Sequence, residues 1–213
     1  MSLNRGKRRM RRSREAARFL AASDGKLRAL VKKVGAPGLY FDPTRTVFEA
    51  LATAITHQQL HGRAAETILG RFVALYPSGS PEPSRVKDTD LARLLGCGLS
   101  RAKAGAILDL AEKVLDGTVP TREAAAKMSN EELIEVITEV KGVGRWTVEM
   151  FLIFTLGRPD VLPVHDFGVR KGYARAFGKR KFPTPKQLEK LGARFSPHRS
   201  VLAWYLWRAS ELP

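Results

Sequence analysis

Along almost the whole of this chain, apolar residues return at intervals of three and four, and no stretch of real length alternates with period two. Three-and-four spacing places side chains on one stripe of an α-helix, whereas a half-buried strand needs alternation. The apolar stripes are short, cut by Gly, Pro and Ser clusters, and none is long enough to span a bilayer. The pattern predicts an all-α fold built from short amphipathic helices. At 213 residues there is room for a sizeable core. No repeat of roughly 20–50 residues is visible, and no linker is long enough to separate independent domains.

The stripes can be placed. Ala16, Phe19, Leu20, Leu27, Leu30, Val31 and Val34 predict a helix over 13–34, stopped by the GAPG of 35–38. Asp42-Pro43-Thr44 opens a second helix, with Phe48, Leu51, Ala52 and Ile55 on one face. HQQLHG at 57–62 interrupts it before a third stripe through Ala64, Ala65, Ile68, Leu69 and Phe72. PSGSPEPS at 77–84 reads as loop. Asp88 or Thr89 caps a short helix ending near Leu95, and Ser100 caps one running from Arg101 to Leu115. Ser129 with Glu132 makes a capping-box start for a helix carrying Leu133, Ile134 and Ile137 inward. Trp146 to Leu156, 166–177 and 186–194 read as helices, and Pro197 to Leu212 as an apolar closing helix.

Between two of these helices lies Val140-Lys141-Gly142-Val143-Gly144, a helix–hairpin–helix pattern. Glycines allow a turn at positive φ and close approach of another backbone. The second helix then presents N–H groups at its start, which bind phosphate without reading bases. A tight helix–helix turn without any ligand would use the same residues.

Charge supports a polyanionic partner. Lys and Arg number 37 against 21 Asp and Glu, a net of +16. Nucleic acid is the commonest partner of such an excess, though ribosome-associated and membrane-surface proteins are as basic. Residues 1–18 hold eight Lys/Arg against one acid, Glu15, and residues 1–14 read as a basic, DNA-contacting tail; an organelle transit peptide is the alternative. The single cysteine, Cys97, makes no internal disulfide and cannot supply a four-cysteine zinc or iron–sulfur site.

The stretch LIEVITEVKGVGRWTVEMFLIFTLGRPDVLPVHDFGVRKGY resembles the helix–hairpin–helix DNA glycosylase superfamily, and within it the alkylbase branch called 3-methyladenine DNA glycosylase II. FEALATAITHQQLHGRAA (48–65), CGLSRAKAGAILDLA (97–111) and PHRSVLAWYLWR (197–208) are similar to further parts of that family, in the same order. Four pieces in order cover most of residues 15–208. The β-rich extension of some members has no counterpart here. The resemblance implies two helical lobes, 15–45 plus 160–213 and 46–159, with the helix–hairpin–helix at 131–156 and an active-site cleft between the lobes.

It also implies roles. Bifunctional members carry a lysine two residues after the second hairpin glycine, and its amine attacks the sugar. Here that position is Trp146, so the resemblance implies a monofunctional enzyme that excises alkylated bases of the 3-methyladenine and 7-methylguanine type by base flipping. Asp166 stands at the catalytic position; a helix N-cap would also use an aspartate there. Trp146 and Trp207 line the base pocket, with Met150, where a tyrosine stands in some members, and His57. Core packing is the alternative for each tryptophan. His165 is assigned to DNA backbone or structure, and His198 to the start of the last helix. Gln59, with Leu60 second, fills the gap left by the extruded base, and His61 probes the minor groove. Gly142, Gly144, Arg145, Lys141, Arg170 and Lys171 bind phosphate. Carbonyls of Thr138, Val140 and Val143 hold a Na⁺ or K⁺ ion; no cofactor is required and no iron–sulfur cluster is expected. The expected partner is double-stranded DNA with a damaged base, with no membrane, the protein acting as a monomer in the cytoplasm with the nucleoid if bacterial. Hypoxanthine, ethenoadenine or uracil as the lesion, or a non-catalytic DNA-binding role, are the competing readings.

Overall fold

The structure, a computed structural model, describes the backbone of residues 2–40, 42, 44–60 and 62–212, and their side chains from residue 11 onward except Ser78. Among these residues there are helices and turns and no strand. No helix among them is long and apolar enough to cross a membrane. The chain forms two compact units: residues 1–41 with 157–213, and residues 42–156.

The unit built from the chain ends opens with α1 (Ser2–Ser23) and α2 (Gly25–Val34). One helix was expected from residue 13 to 34; α1 instead starts at Ser2, and the path breaks at Asp24. Asp24 is extended and its carboxylate accepts the Lys26 N–H, making it the N-cap of α2. A competing side-chain hydrogen bond of this kind is what splits a continuous stripe into two helices. Ala16, Ala17, Leu20, Leu27 and Leu30 from this pair are buried in the unit's core.

The central unit follows. α3 (Val47–His57) starts one turn later than Asp42, because Thr46 and Glu49 form the capping box while Asp42 folds back on Thr44. Then come α4 (Gly62–Val73), α5 (Pro83–Lys87), α6 (Leu91–Gly96), α7 (Arg101–Leu115), α8 (Arg122–Ala125), α9 (Asn130–Ile137) and α10 (Arg145–Phe151). α5 and a 3₁₀ turn at Pro77–Gly79 occupy the stretch expected to be loop, each with proline in its first turn. Asp90, rather than Asp88 or Thr89, caps α6. α7 and α9 begin where Ser100 and Ser129 predict. Phe48, Leu51, Ile55, Phe72, Ile107, Leu110 and Leu133 are fully buried. Arg122 at the start of α8 donates to the carbonyls of Arg45 and Thr155, and so ties the first residues of this unit to its last. After α10 the helix widens into a π-turn over Leu152–Leu156, where a plain continuation of α10 was expected.

The chain then returns to the first unit through α11 (Phe167–Ala176), α12 (Pro185–Gly192) and α13 (Arg199–Glu211). α11 and α13 pack unusually close. A Cβ on Gly172 would lie 1.8 Å from the Leu206 carbonyl oxygen, so only glycine fits. Tyr205 is fully buried there and donates its hydroxyl to the Gly35 carbonyl at 2.8 Å.

Candidate functional site

Within the unit of the chain ends, the carboxylate of Asp166 is held by two donors. Asp166 is the N-cap of α11, and its Oδ1 accepts the Val169 N–H at 2.7 Å. The same oxygen accepts the indole Nε1–H of Trp207, on α13, at 2.9 Å. The N-cap alternative is thus realised, and it coexists with a half-exposed carboxyl group. Two fixed N–H dipoles on one oxygen set the plane of the carboxylate. Gly168 makes room for this: a Cβ there would lie 2.9 Å from Trp207 Cδ1 and 3.2 Å from Asp166 Oδ1. Trp207 and Trp204 both pack against the core, Trp204 beside Tyr205, and Trp207 in addition donates to Asp166. His165 is exposed, and His198 caps α13 with its ring against Phe19.

Within the central unit, a groove of about 620 Å³ collects many of the residues picked out from the sequence: His57, Gln59, Gly142, Gly144, Trp146 and Met150 line it. Trp146 is 47% exposed, so it is not packed away as core. Phe154 and Thr155 also line the groove, carried there by the π-turn; the sequence pattern carries no signal for them. Leu60 is exposed and does not line it. His57 directs Nε2 toward Glu66 at 3.6 Å, beyond hydrogen-bond distance. His61 lies outside the described residues.

The loop after α3 has a defined shape. Gln58 reaches across to the hairpin, where its Nε2 donates to the Gly142 carbonyl at 3.1 Å and approaches Thr147 Oγ1 at 3.5 Å. Gln59, next to it, sits exposed at φ 57°, a left-handed conformation that is strained for any residue but glycine. Gln58, which the sequence did not single out, is therefore the residue that joins loop to hairpin.

In the hairpin, only Gly142 uses positive φ, at 73°. Gly144 is extended and caps α10 without a side-chain hydrogen bond; a Cβ there would project into open space. Its value is a bare surface, open to close approach. The basic residues nearby are partly committed elsewhere. Arg145 binds Glu131 through two nitrogens, at 2.9 and 2.7 Å, and Glu149 through Nε at 3.2 Å. Hydrogen bonding to Arg145 holds the Glu131 carboxyl below the usual glutamate range. Three of the five Arg145 guanidinium N–H groups are engaged in these bonds. The Lys141 N–H is bound by the buried Asp109 carboxylate at 2.8 Å, while its ammonium is 80% exposed, 3.3 Å from the same residue. Arg170 donates Nε to the Pro183 carbonyl, an internal bond, and Lys171 is half-buried. Thr138 ends α9, and the Val140 carbonyl accepts the Val143 N–H.

Residues 52–198 match the HhH-GPD superfamily of base excision DNA repair proteins. The chain is 40% identical to DNA-3-methyladenine glycosylase 1 of Schizosaccharomyces pombe, over 91% of this chain and 86% of that protein. It is 36% identical to the alkylbase DNA glycosidase-like protein mag2 of the same yeast, over 93% and 94%. The solved structure of the S. pombe 3-methyladenine DNA glycosylase Mag1 in complex with abasic DNA superimposes with a TM-score of 0.82 at 39% identity, covering 93% of this chain and 97% of that one. The hairpin, the capped aspartate and these likenesses agree: the chain belongs to the HhH-GPD superfamily of base excision DNA repair proteins.

Proposed function

We propose that this protein is a monofunctional DNA glycosylase that removes alkylated purines of the 3-methyladenine and 7-methylguanine type from double-stranded DNA. The observation that carries the reading is the Asp166 carboxylate, oriented by the Val169 N–H and the Trp207 indole, in a chain whose relatives bear the glycosylase name. In the reaction, the bond from C1′ to the base breaks and its electron pair leaves with the base. The sugar becomes an oxocarbenium-like cation, which an adjacent carboxylate stabilises. Water then forms the C1′–O bond and gives up a proton, which the carboxylate can accept. An N-alkylated purine is already cationic and needs little protonation to leave. The exposed face of Trp146 offers a positive ring about 0.5–2 kcal/mol of cation–π attraction. Trp146 in place of a lysine leaves no amine there to attack the sugar, which supports base removal without strand cleavage.

Gln59 at the loop tip suits the side chain that fills the gap in the stack, and Leu60 is the second candidate. The hairpin backbone at Gly142–Arg145, with the exposed Lys141 ammonium, suits a phosphate; Lys171 is the further candidate. Neutral carbonyl oxygens of Thr138, Val140 and Val143, between the end of α9 and the start of α10, are the hard-donor chemistry an alkali-metal ion takes. Such an ion would draw the hairpin toward a phosphate. The protein acts as a monomer, in the cytoplasm with the nucleoid if its source is bacterial.

The test is release of methylpurines from methylated duplex DNA by the wild type and by Asp166→Asn. Asparagine keeps an oxygen for the cap, so the fold is preserved. The wild type frees methylpurines and leaves breaks only after alkali; the variant binds DNA and frees none. A wild type that binds but releases nothing, or a variant that still excises, overturns the proposal.

A further inference from the structure

Behind the loop of residues 57–60 stands a lysine that no motif marks. Lys103, on α7, directs its ammonium to the carbonyl of Thr56 at 2.8 Å and that of Gln58 at 2.6 Å. These two carbonyls flank the last residue of α3, where the helix has no further N–H groups of its own to offer. A cation there meets the negative end of the helix dipole. Drawing both carbonyls to one point turns the backbone sharply, and the next residue is Gln59 in its left-handed conformation.

Lys103 does not act alone on α7. Ala106 and Asp109 follow at three-residue intervals, on one side of the helix. The Ala106 methyl lies 3.6 Å from where a Cβ of Gly142 would stand, and Asp109 accepts the Lys141 N–H. One stripe of one helix therefore backs both the loop and the hairpin, and Gln58 bridges the two in front by its bond to the Gly142 carbonyl. Burial pushes the Lys103 ammonium below the usual lysine range.

We infer that Lys103 is a positioning residue that clamps the 57–60 loop in its base-extruding shape and sets its register against the phosphate-binding hairpin. The inference rests on the proposed function for the role of the loop, but the clamp itself is a property of the free protein. Being turned toward backbone carbonyls, the ammonium is not a phosphate contact.

The experiment compares wild type, Lys103→Met, which keeps an apolar stem and removes the charge, and Lys103→Arg, which restores a cationic donor. Amide hydrogen exchange is read in the free protein. Single-turnover release of 7-methylguanine and affinity for unmodified duplex against salt are read with DNA. For Lys103→Met, exchange should quicken at residues 58–60 and stay unchanged through the rest of α3. Excision should slow at least tenfold, since misplacement by about 1 Å is worth up to ~100-fold. Affinity for unmodified duplex and its salt slope should hold, and Lys103→Arg should recover most of the excision rate. Three outcomes overturn the inference: wild-type exchange at 58–60 in Lys103→Met; quickened exchange throughout the central unit; or a salt slope lower by about 1, the mark of a lost phosphate contact. If the wild type excises nothing, the functional proposal fails, and the exchange data alone decide the clamp.

Discussion

At the scale of single residues, two distant parts of the chain converge on one carboxylate oxygen. Asp166 Oδ1 takes a backbone N–H three residues on and an indole N–H 41 residues on. The first bond is readable in the sequence as an N-cap; the second is not, because it depends on how α11 meets α13. Gly168 carries the consequence. In a helix, Gly→Ala raises propensity by about 1 kcal/mol, so Gly168→Ala should leave thermal stability nearly unchanged. Its methyl, however, would stand 2.9 Å from the Trp207 ring, and the ring must move off Asp166. Excision should fall by about tenfold or more, the scale of losing one oriented donor bond, with DNA affinity intact. Side-by-side melting curves and single-turnover rates check this; a stable, fully active variant would show that the Trp207 bond is dispensable.

At the scale of elements, the fold holds its segments by ion pairs as well as by packing. Arg199, in the first turn of α13, binds Asp160 through Nε and Nη2 at 2.7 and 2.8 Å, and the Ser196 hydroxyl and the Arg199 N–H also donate to it. Burial pushes the Asp160 carboxyl up, but these bonds outweigh it and hold it below its usual value. A carboxyl whose folded pKa is depressed stabilises the protein above its unfolded pKa, near 4, and that contribution fades as pH falls through the folded value. Asp160→Asn should therefore cost about 1–3 kcal/mol at pH 7, and the gap from wild type should close progressively below about pH 4. Urea unfolding at a series of pH values measures it; a gap independent of pH would assign the loss to packing. The elements also show where sequence patterns stop informing. Ser100 and Ser129 mark α7 and α9 because a cap is a local bond. The π-turn at 152–156 has no local signature, yet it brings Phe154 and Thr155 to the groove.

At the scale of the whole molecule, charge governs association. The net of +16 predicts duplex binding that weakens steeply with salt, each phosphate contact adding about 0.9 to the slope of log K against log salt. Arg5, Lys7, Arg8 and Arg9 are concentrated at the start of α1. Deleting residues 2–10 should lower that slope by about 1–3 and leave the single-turnover excision rate at saturating enzyme unchanged. An unchanged slope would mean that this run does not touch DNA.

What the sequence determined by itself was what local physics can write down. Period-three-and-four stripes require helices, the hairpin glycines allow a turn at positive φ, caps set where helices begin, and one cysteine leaves no room for a four-cysteine cluster. With the resemblance carried by the hairpin and Asp166, that reached the family. The tertiary structure decided the rest. Trp207 orients Asp166, Arg145 is spent on Glu131 and Glu149, Gln58 bridges to Gly142, and Lys103 gathers two carbonyls from 45 and 47 residues away. Each of these is a directional bond between groups distant in the chain. Its existence turns on a few tenths of an ångström in how helices pack, which no periodicity records.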